Sequence, residues 1–169
     1  MRTLWIVGHP GFADSEAAAD IASAVEAMAD VDLHVLPDAG WDMAAEREKW
    51  AQAERIVLHF PLHWYAVPAM LKAYLDELLA YGWAFGPESP FALQAKPLAI
   101  SITTGAPLAT YAPGERNEHS LDTYMLPLAR TARFMKMDFR GVVGTGSVPF
   151  DVPAGRWAAH VNEVFSLLA

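Results

Sequence analysis

Two stretches of the chain, Leu4-Trp5-Ile6-Val7 and Ile56-Val57-Leu58, are apolar without a break. A third, Leu98-Ala99-Ile100-Ser101-Ile102-Thr103, is nearly so. Runs that are apolar on both faces suit central strands of a parallel sheet. Asp32 to Leu36 alternates polar and apolar residues, as an edge strand does, and Met137 to Val143 supplies a fifth strand. Between these runs the apolar positions recur at helical spacing. Ala17, Ile21, Ala24, Val25 and Met28 form one such stripe, and Leu71, Tyr74, Leu75, Leu78 and Leu79 another. Leu121, Tyr124, Met125 and Leu128 form the next, and Ala154, Trp157, Val161, Val164, Phe165 and Leu168 the last. Each is wide enough to bury one helix face. Asp42 to Ala53 adds a further helix. Asp14 or Ser15 caps the first helix, and Glu16 suits its positive first turn. Pro68 stands at the favoured first helical position, and Pro127 kinks or splits the helix around it. Pro37-Asp38-Ala39-Gly40 is a turn, and Gly144-x-Gly146 reads as another.

The pattern is therefore β-α repeated five times, with strands too apolar to face water. It predicts an α/β fold, a three-layer, doubly wound, five-stranded parallel sheet. At this length the flavodoxin-like strand order 2-1-3-4-5 fits better than a full dinucleotide-binding fold. No internal repeat, low-complexity tract or linker interrupts the 169 residues, so residues 1–169 read as one domain. A chain of that size buries roughly two-thirds of its unfolded surface in one core.

Composition removes several classes of function. A net charge of −8 argues against a nucleic-acid partner. With no cysteine there is no disulfide, thiolate nucleophile or iron–sulfur cluster, which fits a reducing, cytoplasmic setting. MRTLWIVGHP is too short in its apolar run for a signal-peptide core and reads as a first strand. No apolar stretch is long enough to span a bilayer. The six histidines show no metal spacing; His59 and His63 are four apart, but Pro61 between them excludes a shared helical face.

In an open α/β sheet the ligand binds beyond the carboxyl ends of the strands, at the switch point in strand order. For order 2-1-3-4-5 that point lies between the first and third strands. The loops there are His9–Ser15 and Phe60–Val67, with the loop from Thr103 onward beside them. The first precedes a helix amino terminus, an anion site by virtue of its free N–H groups. His9 and Ser15 add side-chain donors there, or Ser15 is only a cap and His9 only a loop residue. The loop has neither the Walker nor the G-x-G-x-x-G pattern. In the second loop, Pro61, Leu62, His63, Trp64 and Tyr65 offer a stiff shelf for a fused ring system. Trp64 and Tyr65 equally suit a dimer interface, and the two readings are compatible. In the third, Thr103, Thr104, Gly105 and Ala106 are small where backbone must approach a ligand, and Tyr111 follows with a hydroxyl.

These residues resemble the NAD(P)H dehydrogenase (quinone) family, the flavodoxin-like diaphorases. The family pattern F-P-L-x-W-Y/F-x-V-P-A-x-L-K-x-(Y/W)-x-D is matched by Phe60, Pro61, Leu62, Trp64, Tyr65, Val67, Pro68, Ala69, Leu71, Lys72 and Asp76. Gly82, Trp83, Ala84, Phe85 and Gly86 match the motif that follows. His9-Pro10 with Ser15 resembles the family's phosphate loop, and Thr103-Thr104-Gly105 with Tyr111 resembles its T-T-G-G…Y loop. The resemblance implies a homodimer with a flavin at the subunit interface, passing two electrons from NADH or NADPH to a quinone. His9 and Ser15 then hold the phosphate region, Pro61 to Tyr65 lie along the isoalloxazine, and Thr104, Gly105 and Tyr111 reach its N1/O2 side. The chain lacks the carboxy-terminal extension of larger FAD-binding members, which favours FMN over FAD.

Three positions depart from the family. Ala18 replaces an Asn, Ala106 replaces the second Gly, and Asn117 replaces a His implicated in proton handling, with His119 close by. Tyr111 and His119 are thus the candidate catalytic pair. The Gly82–Gly86 turn is expected to shape the site's rim or the dimer contact. The small bacterial branch includes ancillary subunits of glutathione-regulated potassium-efflux antiporters, so docking on a membrane transporter is the rival reading. A one-electron flavodoxin carrier is disfavoured by the lack of a T-x-T-G-x-T loop.

Overall fold

The computed structural model describes residues 1–169. Five parallel strands, β1 (Thr3–Val7), β2 (Val31–Val35), β3 (Arg55–Pro61), β4 (Pro97–Thr103) and β5 (Asp138–Thr145), form one sheet in the order 2-1-3-4-5. Six helices cover it: α1 (Glu16–Glu26), α2 (Met43–Gln52), α3 (Ala69–Leu78), α4 (Leu121–Tyr124), α5 (Leu126–Phe134) and α6 (Arg156–Leu167). The predicted flavodoxin-like α/β fold and its strand order are the observed ones.

Strand alternation divides the core in two. Leu4, Ile6, Ile56, Leu58, Phe60, Leu98, Ile100 and Ile102 face α2, α3 and α5. Trp5, Val7, Val57, Ala99 and Val143 face α1 and α6. Every central strand thus buries both faces, which is why β1, β3 and β4 read as continuous apolar runs. Near the strands' carboxyl ends the α1/α6 side turns polar: His59, Ser101 and Thr145 are buried there, and His160 of α6 is buried against them.

Several predicted boundaries shift. Pro68 is the amino-terminal cap of α3 and not its first residue; its ψ of 147° is extended, and its carbonyl accepts from the Lys72 amide. Around Pro127 the predicted helix is split into α4 and α5, and the break falls at Met125. Gly144 is not in a turn: β5 runs on to Thr145 because Gly144 pairs with Ile102 and Thr145 with Thr103. A Cβ at Gly144 would lie 2.6 Å from Leu121 Cδ1, so glycine is what lets α4 pack on this strand. In α1 the buried stripe is Ala18, Ile21, Ala22 and Val25, one residue round from the predicted one at Ala17. Asp42, expected within the helix, is instead the cap of α2, accepting from the amides of Ala44 and Ala45 at 3.0 and 3.2 Å. The Gly82–Gly86 turn packs inward: Ala84 is buried in the core, and Phe85 meets Phe134 of α5 at 5.4 Å between ring centres. No helix is long and apolar enough to cross a membrane.

Candidate functional site

At the switch between β1 and β3 the strand ends open into a cavity of about 510 Å3. The first loop meets it through His9, Ser15 and the start of α1, the second through Pro61, Leu62 and His63, and the third through Thr103, Thr104 and Gly105. All three predicted loops therefore converge on one site.

The α1 end of the cavity is a donor cluster. Ser15 Oγ accepts from the Ala18 amide at 3.2 Å, which leaves its O–H free to donate. The amides of Glu16 and Ala17 have no acceptor within the chain, as expected of a helix start. His9 Nδ1 and His59 Nε2 are buried without partners. No lysine or arginine lines the cavity, and the acidic Asp14 and Glu16 are exposed at its rim. An anion placed here is held by neutral donors and the helix dipole. Burial pushes the imidazole of His9 below its ordinary range, which disfavours its charged form.

The third loop has spent some of its donors. The Thr104 amide donates to the Thr145 carbonyl at 2.9 Å, and its hydroxyl donates to the Ala106 carbonyl at 2.8 Å. The amides of Gly105 and Ala106 have no acceptor in the chain and are the free donors of this loop. Ala106 itself does not line the cavity; its carbonyl ties the loop to Ser147. Gly146 presses on the same loop. A Cβ there would lie 2.6 Å from the Leu108 backbone nitrogen and 2.8 Å from the Ala106 carbonyl oxygen. Gly146→Ala is expected to cost about 1–3 kcal/mol, as overpacking against backbone does, and urea melts will measure it.

Trp64 and Tyr65 occupy the two centre positions of a tight turn. The His63 and Ala66 amides and carbonyls exchange bonds of 3.0 and 2.9 Å across it. Both centre residues have positive φ, 49° and 63°, as a type I′ turn requires and as Asn-Gly normally supplies. Two aromatics in left-handed backbone cost roughly 1–2 kcal/mol each. Trp64 is nonetheless 95% exposed, so its own burial does not repay that strain. Strained, exposed aromatics at a loop tip are a mark of function. Trp64→Asn is expected to raise the unfolding free energy by about 1 kcal/mol, checked by urea melts at high dilution.

Tyr65 stacks on Tyr124 at 4.9 Å, and its hydroxyl donates to Asn117 Oδ1 at 3.2 Å. Tyr65, Trp64 and Tyr111 border a smaller hollow that shares Leu62 with the main cavity. Burial raises the Tyr111 phenol, and the nearby Thr104 side chain opposes this. His119 is exposed and meets the edge of Tyr124 at 5.9 Å, bordering neither the cavity nor the hollow. Asn117, at the position where the resemblance expects a histidine, is buried and braces the loop through Thr110 and Tyr65. On the outer side Trp64 also borders an apolar groove of about 550 Å3 with Val67, Met125, Pro127 and Leu128.

His59, Asp14, Glu16, Val148 and Pro149 line the cavity, although the sequence assigned none of them to the site: Asp14 and Glu16 figured only at the helix start and His59 only in the metal spacing. For His59 a signal existed: it alternates with Val57, which places it on the α1/α6 face beside the switch point.

The chain belongs to the flavodoxin-like fold family, whose model matches residues 1–163. It is similar to the NADPH-quinone reductase of P. pentosaceus, with 28% identity, a TM-score of 0.89, and coverage of 97% of this chain and 98% of that one. It is also similar to general stress protein 14 of Treponema denticola, solved in complex with FMN, with 28% identity, a TM-score of 0.86 and coverage of 99% and 98%. The glutathione-regulated potassium-efflux system ancillary protein KefF of Klebsiella pneumoniae is 44% identical over 69 residues, 41% of this chain and 38% of its own.

Proposed function

We propose that the protein is a flavin-dependent NAD(P)H:quinone oxidoreductase that works through FMN by a two-electron, ping-pong route. The observation that carries this is the convergence of an anion cradle, a stiff flat wall and a free-amide loop on one cavity at the switch point. The FMN complex of one neighbour and the NADPH-quinone reductase name of another support it.

When bound, FMN supplies the redox chemistry, accepting a hydride from NADH or NADPH and passing it to a quinone or similar flat acceptor. The residues of the chain orient it. The Glu16 and Ala17 amides, with Ser15 Oγ and His9, hold its phosphate. Pro61 to His63 back the ring, with Trp64 and Tyr65 at its edge. The Gly105 amide, free at the cavity wall, would supply a donor to the side of the ring where negative charge develops. Tyr111, at the adjoining hollow, is the hydroxyl placed to handle the proton, and His119 is left without a role there. A second copy of the chain covers the apolar groove beside Trp64, so that the flat acceptor lies between subunits. Yellow protein whose bound flavin is bleached by NADH or NADPH in stopped flow is the expected result. Failure to bind FMN, or bound FMN that neither nucleotide reduces, overturns the proposal.

The likeness to KefF favours a second reading, an ancillary subunit docked peripherally on a potassium-efflux antiporter. Co-purification with such a transporter, and altered efflux on deletion, test it separately from reductase activity.

A further inference from the structure

A chain of four buried polar side chains runs from the floor of the cavity to the surface. His59 Nδ1 meets Ser101 Oγ at 2.8 Å, and Ser101 Oγ meets His160 Nε2 at 2.7 Å. His160 Nδ1 meets Thr145 Oγ1 at 2.8 Å, and Arg156 Nε reaches the same oxygen at 3.0 Å. His59, Ser101, Thr145 and His160 are each 2% exposed or less. A buried polar chain of this kind persists only when every member is satisfied.

Satisfying every member gives the chain a direction. Arginine only donates, so Thr145 Oγ1 accepts from Arg156. The Thr145 hydroxyl proton then has one recorded acceptor, His160 Nδ1. His160 Nδ1 is therefore unprotonated, and Nε2–H donates to Ser101. The Ser101 hydroxyl, whose other partner is His59, donates to His59 Nδ1. His59 must then carry its proton on Nε2. The reverse direction would leave the buried Thr145 hydroxyl proton beside an occupied N–H, which costs the full desolvation of that group.

His59 Nε2 has no partner in the chain. His59 lines the cavity that holds the α1 amino terminus, and its Nδ1 edge is turned to β4. We propose that His59 is a ligand-binding donor, its Nε2–H serving the anionic phosphate monoester end of the ligand, and that Arg156, Thr145, His160 and Ser101 are positioning residues that impose this tautomer. The inference rests on the FMN reading above and deepens it: with no lysine or arginine in the wall, selection for a phosphorylated flavin over the bare one depends on neutral donors such as this. His59 is 42 residues from Ser101 and Ser101 is 59 from His160, so no local motif contains the device.

The test compares FMN with riboflavin, which lacks the phosphate, by fluorescence titration of the apoprotein, alongside 15N spectra of the histidine rings. In wild type the His59 ring is expected as the Nε2–H tautomer, with an Nε2 resonance that moves on adding FMN and stays on adding riboflavin. His59→Phe is expected to weaken FMN binding roughly ten- to a hundredfold, the worth of a hydrogen bond to a charged group, and to leave riboflavin binding within about twofold. Ser101→Ala, which removes one hydroxyl and leaves the packing intact, is expected to mix the His59 tautomers and to lose part of the FMN preference. An unchanged FMN-to-riboflavin ratio in His59→Phe, or a wild-type His59 protonated on Nδ1, overturns the inference while the flavin reading stands. A wild-type protein that binds neither flavin overturns both.

Discussion

Acidification from pH 6.5 towards pH 4 is expected to unfold this protein steeply, with the loss beginning above the range in which carboxylates titrate. Burial, with the neighbouring charges of His160 and His9, pushes His59 down to about 3. Burial, helped by Arg156, pushes His160 down to about 4. Both titrate at the ordinary histidine value of 6.5 once the chain unfolds. Because the folded values lie below the unfolded one, the unfolded state binds the extra protons. The stability these groups allow is whole above pH 6.5 and is lost as pH falls towards the folded values. Each histidine contributes a slope of about 1.4 kcal/mol per pH unit in that window. The pair removes on the order of 5 kcal/mol by pH 4, which matches the whole stability of many domains. Urea melts at pH 7.5, 6 and 5 read the slope directly. His160→Gln is expected to cost stability at every pH but to halve the slope, and an unchanged slope would show that the buried histidines do not govern acid lability.

The second large effect lies on the opposite side of the sheet. Glu46 of α2 is 6% exposed and accepts from Tyr74 Oη at 2.8 Å, Lys49 Nζ at 2.8 Å and His34 Nε2 at 2.9 Å. Trp50 Nε1 donates to the same Tyr74 oxygen at 2.9 Å. Burial alone would raise the Glu46 carboxyl, but the hydrogen bonds from Lys49 and Tyr74, with His34 nearby, outweigh it and hold it below its usual range. The Tyr74 phenol is driven far up by burial and by Glu46, so it stays a donor. Glu46→Ala strands a buried phenol proton and takes the counter-charge from Lys49 and His34, which keep only each other at 3.2 Å, at an expected cost of about 3–5 kcal/mol. Glu46→Gln keeps one acceptor and is expected to cost less. A loss under about 1 kcal/mol in Glu46→Ala, by urea melt, would mean that water replaces the carboxylate freely. Because the Glu46 value is lowered, its own contribution is present above pH 4.5 and fades only below it. Glu46→Gln should therefore leave the slope between pH 6.5 and 4.5 intact, separating this cluster from the histidines.

Much of the architecture is legible along the chain because its causes are local. β1, β3 and β4 bury both faces, so their sequences cannot hide a polar side. Ser15 announces α1 because a cap must be a short acceptor next to the helix it serves. The cavity's three loops could be anticipated from strand order alone. What failed were ends and turns. Gly144 looks like turn chemistry, and only pairing with Ile102 makes it strand. Thr104 looks like a free donor, and only the Thr145 carbonyl uses up its amide. Trp64 and Tyr65 are visible as unusual aromatics, but nothing in their identity predicts left-handed backbone, which their side chains disfavour.

By itself the sequence determined the layers, the strand order, the family and the three loops that make the site. Periodicity, capping and a contiguous motif all act over a few residues and survive being read as a string. Only the tertiary structure decided which donors of those loops remain free, and that His59, Ser101, His160 and Thr145 make one polarised chain. Those contacts join residues 42, 59 and 15 positions apart. Each residue alone reads as a stray polar position in an apolar element. The direction of the hydrogen bonds is set by burial, which leaves no water to satisfy them otherwise.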